Sequence, residues 1–271
     1  MLVTQSPPSI AAALPSSLAV EMRGAVALLR LARPEKRNAL DDATVAGLET
    51  FFTALPDGTR AIVLHAEGAH FCAGLDLSAI TETDVLGGIA HSRSWHRAFE
   101  RIESGLVPVV AVLHGAVVGG GLELAAACHI RVAERSTYYA LPEGRHGIFV
   151  GGGGSVRLPR LIGLARMIDM MLTGRAYNAD EGATCGFSQY VVAEGGGLSR
   201  GLEIAERIAA NAVLTNLAVL QALPRIAESE RDAGFMMESL MAAIASSDPE
   251  AKARLRSFLE GRASKVIRDP K

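Results

Sequence analysis

The run Pro108-Val-Val-Ala-Val-Leu-His-Gly115, continuing through Ala116-Val-Val-Gly-Gly-Gly-Leu-Glu123 into Leu124-Ala-Ala-Ala127, constrains this chain more than any other segment. A short, continuously apolar stretch rich in valine reads as a strand buried on both faces. It leads into three consecutive glycines and then a helix start, which is the strand-to-helix turn of an α/β protein. Glycines at such a turn leave backbone N–H groups uncovered, and the first turn of the helix adds partial positive charge. The turn therefore suits an anion, whether a stable one or a transient oxyanion. A tight turn with no ligand is the plain alternative. A dinucleotide fingerprint fits poorly, because the third glycine is not at the required offset and the motif lies far from the first strand.

The same alternation extends along the chain. Ala25-Val-Ala-Leu-Leu-Arg-Leu31 and Arg60-Ala-Ile-Val-Leu-His65 read as strands, and between them lie the turn Arg33-Pro-Glu-Lys-Arg-Asn38 and a helix carrying Val45, Leu48, Phe51 and Phe52. Asp41 or Asp42 is placed to cap that helix. A second helical region carries Trp95, Phe99 and Ile102, and strand patterns return at His129-Ile-Arg-Val-Ala133 and Ser136-Thr-Tyr-Tyr-Ala140. Gly151-Gly-Gly-Gly154 then precedes a helix with Leu158, Leu161 and Ile162. From about residue 198 the composition turns helical, broken by Pro224 and Ser246-Ser-Asp-Pro249. The expected organisation is a flexible N-terminal extension over residues 1–17, an α/β core over 18–197 and a helical C-terminal region over 198–271.

Composition narrows the partners. A net charge of −2 across 271 residues gives no general affinity for nucleic acid. Cys72, Cys128 and Cys185 form neither an even set nor a C-x-x-C pair, which argues against a disulfide framework and a thiolate metal site and fits a reducing cytoplasm. No apolar run reaches the roughly 18–20 residues a membrane span needs, and the N-terminal stretch lacks the pattern of a secretory signal. A soluble cytoplasmic protein with no metal and no membrane partner is expected.

Two carboxylates stand out. Glu123 lies in the first turn of the presumed helix, where an exposed glutamate is common, yet its neighbours make that helix apolar on nearly every face, and a buried carboxylate needs a reason. Glu143 follows Leu141-Pro142 after an aromatic strand. Converging on a cleft, the pair can hold one water, and desolvation raises the pKa of at least one of them. No H-E-x-x-H or G-x-S-x-G motif offers a metal or serine mechanism. In Phe71-Cys-Ala-Gly-Leu-Asp76 the small Ala73 and Gly74 let a ligand lie against the backbone, with Leu75 N–H as a second oxyanion donor. Cys72 is read as a packed residue and Asp76 as a local cap or turn group. Arg33, Lys36 and Arg37 are either solvated charges or a site for a phosphorylated handle.

Arg33-Pro-Glu-Lys-Arg-Asn-Ala-Leu-Asp41, Phe71-Cys-Ala-Gly-Leu-Asp76, Gly115-Ala-Val-Val-Gly-Gly-Gly-Leu-Glu-Leu-Ala125 and Leu141-Pro-Glu143 together resemble the crotonase, or enoyl-CoA hydratase/isomerase, superfamily in order and spacing. The resemblance implies a spiral of ββα units with a helical C-terminal trimerisation region, assembled as a homo-trimer or a hexamer built as a dimer of trimers. It implies an acyl-CoA thioester substrate, with coenzyme A belonging to the substrate and no separate cofactor. It matches Leu75 and Gly120 N–H to the oxyanion hole, Glu123 and Glu143 to the hydratase glutamates, and Arg37, Asn38, Ala39 and Ala73 to the CoA pocket.

Within that superfamily, the presence of both glutamates implies hydration of a short-chain 2-enoyl-CoA thioester. An isomerase, or a non-catalytic CoA-ester or other binding protein on the same scaffold, is the alternative. Trp95-His-Arg-Ala-Phe99, Ala127-Cys-His-Ile-Arg-Val132, Ser136-Thr-Tyr-Tyr-Ala-Leu-Pro-Glu-Gly144, Gly147-Ile-Phe149 and Met167-Ile-Asp-Met-Met-Leu-Thr-Gly-Arg175 are most similar to the methylthioacryloyl-CoA hydratase subfamily. In that chemistry hydration is followed by methanethiol release and thioester hydrolysis. The stretch after Glu143 and the histidine at 129 depart from the common hydratase pattern.

Overall fold

The inner strands of the main sheet form where the chain is largely apolar, because both faces of that sheet are covered. In the computed structural model, which describes residues 13–79 and 84–262, six strands are ordered β1-β2-β3-β4-β6-β9. These are β1 (Leu18–Arg23), β2 (Val26–Leu31), β3 (Ala61–Ala66), β4 (Val109–Leu113), β6 (Ile130–Glu134) and β9 (Tyr190–Val192). β1 is antiparallel to β2 and every other neighbour pair is parallel. A second sheet, ordered β5-β7-β8, contains β5 (Ala116–Val118), β7 (Tyr138–Ala140) and β8 (Tyr177–Asn178).

Alternate residues of one strand serve two cores. Ile62, Leu64, Val109, Ala111 and Leu113 face the large core with Leu48, Phe51, Phe99 and Ile102. Ala61, Val63, Val110 and Val112 face the other way, against Ile204, Ala205 and Ala209. The first group packs on α1 (Asp42–Thr53) and α2 (Val85–Glu103), and the second on α7 (Gly197–Ala209). The remaining helices of this unit are α3 (Gly120–Ala127), α4 (Gly154–Ile162), α5 (Leu164–Thr173) and α6 (Ala179–Cys185). Asp41 caps α1 by accepting from Thr44 N–H at 2.8 Å.

Three sequence expectations need adjustment. The stretch from Pro108 is not one strand entering the triple glycine: Gly115, at φ +53°, turns the chain, and Ala116–Val118 pairs with β7 in the second sheet. The core extends past residue 197, because α7 closes the second face of the main sheet and the contact boundary falls between residues 209 and 210. The extension over residues 1–17 is only partly described; within it Leu14 packs on the core and the buried Ser17 Oγ accepts from Thr44 Oγ1 at 2.8 Å.

The second unit, residues 210–271, carries α8 (Val213–Gln221), α9 (Leu223–Glu228), α10 (Arg231–Ser247) and α11 (Pro249–Leu259). Pro224 and Pro249 sit in first turns, where a missing N–H is harmless. Asp248 caps α11 through Ala251 N–H at 3.1 Å. Among the described residues no helix is long and apolar enough to cross a membrane.

Candidate active site

The first unit holds a cavity of about 460 Å³ whose lining includes Ala73, Leu75, Trp95, Gly120, Glu123 and Glu143. Its two sides come from the segments the sequence singled out. On one side, Leu40 bridges Leu75: Leu40 N–H donates to Gly74 carbonyl at 2.8 Å and Asp76 N–H donates to Leu40 carbonyl at 2.9 Å. Flanking groups of a parallel bridge point at the partner, so the N–H of Leu75 itself points away from Leu40. On the other side, Gly120 opens α3, where an N–H lacks an intrahelical acceptor. A Cβ built on Gly120 would stand 3.5 Å from Leu75 N and 2.5 Å from Trp95 Cζ3, so the two amides are neighbours and only glycine fits.

Gly119 explains why the run begins with glycine. It sits at φ +54°, and a Cβ there would come 2.8 Å from Glu143 Oε1. Glu143 is 6% exposed, and its Oε2 has no hydrogen-bond partner among the described residues. Burial, with the neighbouring charge of Glu123 added to it, pushes Glu143 up to about 7. Such a group exchanges protons near neutrality.

Glu123 is held differently. It is 3% exposed, and its Oε1 accepts from Gly152 N–H at 2.8 Å and Gly154 N–H at 2.7 Å. Burial raises its pKa above the usual carboxylate range, while these amides and the nearby Arg157 pull it back. The exposed-glutamate alternative is thereby removed. Glu123 is anchored through Oε1, Glu143 leaves Oε2 without a partner among the described residues, and both line the same cavity.

The expected CoA-pocket residues separate. Ala73 lines the cavity, whereas Arg37, Asn38 and Ala39 do not. The buried Asn38 side chain is engaged inside the protein: Oδ1 accepts from Arg33 N–H, and Nδ2 donates to the carbonyls of Glu67 and His70, all at 2.8 Å. Arg37 carbonyl accepts from Ala73 N–H at 3.0 Å, and Ala39 carbonyl accepts from Arg33 Nη1 at 3.0 Å. Arg33 also pairs with Asp41 and Asp76 at 2.8 and 2.9 Å, so it is a structural cation here. Asp76 accepts from Ser78 and Arg33, a local role. Cys72 is fully buried, and burial pushes its thiol up to about 12, which leaves it inert.

Sequence reasoning missed part of the lining. His146, Ile148 and Phe149, in the stretch after Glu143 that departs from the common hydratase pattern, line the cavity; the missed group is Gly88, His91, Ser92 and Trp95, on one face of α2. Their helical spacing was visible, but it reads equally well as core. His91 Nε2 lies 3.1 Å from Asp42 Oδ1, and Ser92 Oγ donates to Gly151 carbonyl at 2.7 Å.

Two backbone N–H groups beside two buried carboxylates in one cavity are an arrangement able to stabilise an oxyanion and to move a proton. The enoyl-CoA hydratase/isomerase family model matches residues 21–266, and the chain belongs to that family. It is 28% identical to the short-chain-enoyl-CoA hydratase of Clostridium acetobutylicum, covering 91% of this chain and 96% of that protein. It is 30% identical to the enoyl-CoA hydratase EchA19 of Mycobacterium tuberculosis, covering 90% and 94%. The enoyl-CoA isomerase/hydratase claC of Penicillium crustosum is 32% identical over 88% of this chain, which spans only 28% of that protein's length. A crystal structure from Rhodopseudomonas palustris, assigned as an enoyl-CoA hydratase, superposes with a TM-score of 0.89 at 58% identity, covering 93% and 97% of the two chains. The fold is thus the mixed α/β crotonase fold.

Proposed function

We propose that the chain hydrates a short-chain 2-enoyl-CoA thioester. The observation that carries this reading is the anchored Glu123 facing the same cavity as Glu143, whose Oε2 has no partner among the described residues. The N–H groups of Leu75 and Gly120 receive the thioester oxygen as negative charge builds on it, each donor typically supplying about 3 kcal/mol of barrier lowering. Glu123 orients a water and takes its proton as the oxygen bonds to the β-carbon. Glu143 gives its proton to the α-carbon. Atoms and charge balance without any group beyond enzyme, thioester and water, so no separate cofactor is needed.

The acyl group belongs to the same proposal. Trp95 under Gly120, with Ile148 and Phe149, bounds a pocket suited to a short chain, and the sequence likeness to the methylthioacryloyl-CoA hydratases selects methylthioacryloyl-CoA as the first candidate substrate. There, hydration would yield a hemithioacetal that collapses with loss of methanethiol, followed by hydrolysis of the CoA ester. Exposed Phe235, Met236, Leu240 and Ile244 on α10 support the proposed homo-trimer or dimer of trimers.

The test compares crotonyl-CoA with methylthioacryloyl-CoA, following loss of enoyl absorbance, release of thiol and incorporation of labelled solvent oxygen. Hydration with a strong preference for the sulfur-bearing thioester supports the full reading. Conversion of a 3-enoyl-CoA to its 2-enoyl isomer without oxygen incorporation replaces it with isomerisation. Binding without turnover replaces it with a non-catalytic role.

A further inference from the structure

We infer that Arg157 is a positioning residue for Glu123, acting through the loop Gly151-Gly-Gly-Gly154. The inference rests on the proposed role of Glu123 and adds the means by which that carboxylate is held. The N–H groups of Gly152 and Gly154 donate to Glu123 Oε1, at 2.8 and 2.7 Å. The carbonyl of the peptide between them, that of Gly152, accepts from Arg157 Nη1 at 3.0 Å. Gly153, at φ +95°, carries the loop through the left-handed region, and a Cβ there would run into the same guanidinium. Both amides stay on the carboxylate while the peptide between them is held.

The guanidinium is itself secured. Arg157 is buried, its Nε donates to Glu103 Oε2 at 2.7 Å, and its Nη2 lies 3.7 Å from Glu100 Oε2. Glu103 ends α2, and its backbone carbonyl accepts from His129 Nε2 at 3.1 Å, while His129 Nδ1 accepts from Val109 N–H at 3.0 Å. Because Val109 donates to Nδ1, the ring proton sits on Nε2. Burial pushes His129 down to about 4, so the ring is neutral at working pH and keeps both bonds. The histidine at 129, a departure from the common pattern, anchors the residue that grips Arg157.

Removing Arg157 takes away a nearby cation and frees the loop. Glu123 is also faced by Glu143, and His91 and His146 line the same cavity, so the titration must be assigned to Glu123. The experiment follows the infrared carboxyl band that disappears in Glu123→Gln, across pH, in wild type and in the Arg157→Gln, Arg157→Lys and Glu103→Gln variants. It pairs this with kcat and KM on crotonyl-CoA. In Arg157→Gln the Glu123 pKa is expected to rise, with kcat falling by up to about 100-fold and KM changing little, the mark of lost alignment. Lysine should restore part of both effects, because it keeps the charge but lacks the planar fork. A folded Arg157→Gln variant with wild-type Glu123 titration and kcat overturns the inference. If that variant does not fold, Glu103→Gln decides by the same two readouts. If wild type does not turn over crotonyl-CoA or methylthioacryloyl-CoA, the hydratase reading fails, while the infrared titration still decides whether Arg157 sets the state of Glu123.

Discussion

Glu143 closes over Gly119 so tightly that a side-chain carbon at 119 would stand 2.8 Å from Glu143 Oε1. The carboxylate and the glycine turn are one device: the turn brings an α3 amide to the cavity and leaves room for the acid beside it. Gly119→Ala should therefore affect chemistry as well as folding. A left-handed alanine costs about 1–3 kcal/mol, and the displaced Glu143 should lose proton transfer. Thermal unfolding and kcat, measured together, should both fall. Retention of wild-type kcat would separate the glycine from the acid.

Glu123→Gln and Glu143→Gln keep shape and remove acid–base function. Each is expected to lower kcat by roughly 10²–10⁴-fold, with circular dichroism unchanged. Near-wild-type hydration by either variant would remove that residue from the mechanism.

The pH profile discriminates the two family activities. Hydration needs one proton on the glutamate pair, on Glu143 before addition and on Glu123 after it. Addition of water changes no net charge, so kcat/KM for hydration and for dehydration should show the same bell shape, with apparent pKa values belonging to the pair. The alkaline limb should lie near the value of about 7 to which burial raises Glu143. An isomerase starting from the Glu143 carboxylate would instead gain activity as pH rises through about 7, with no alkaline fall from this residue.

The same group makes stability fall with pH. Its folded pKa of about 7 lies above the ordinary 4.5, so between these values the folded state binds more protons than the unfolded one. The penalty is absent below 4.5 and complete above about 7, reaching at most about 3 kcal/mol. Glu143→Gln should melt above wild type at pH 8, and the gap should shrink towards pH 4. Parallel melting curves at both pH values would contradict the buried-acid assignment.

Asn38→Ala tests a residue expected to serve the CoA pocket. Its amide satisfies Arg33 N–H and the carbonyls of Glu67 and His70, and its backbone sits at φ +55°. Losing these bonds should destabilise the fold by about 2–4 kcal/mol, seen in urea unfolding. Arg37→Ala, at an exposed position, should leave stability nearly unchanged and report on ligand affinity alone.

Much of the scaffold was legible because it depends on neighbours in sequence. The Asp41 cap and the buried runs of β3 and β4 follow from short-range spacing. Gly115 was harder, since one left-handed residue moves the next three into another sheet without disturbing the apolar pattern. The edge strand β1, whose residues grade from buried to exposed, carries little periodic signal and takes its place by pairing with β2. The span α7 reads as tail from composition, yet the second face of the main sheet needs a cover.

At the site the division is sharper. Sequence alone determined which groups are present: the glycine turn, the two carboxylates, and the order and spacing that resemble the enoyl-CoA hydratase/isomerase superfamily. Only the tertiary structure decided how they are used. Glu123 meets amides 29 and 31 positions away, Arg33 is spent on Asp41 and Asp76, and Asn38 is turned inward. A hydrogen bond depends on separation in space, and separation along the chain does not report it until the strands between have been packed.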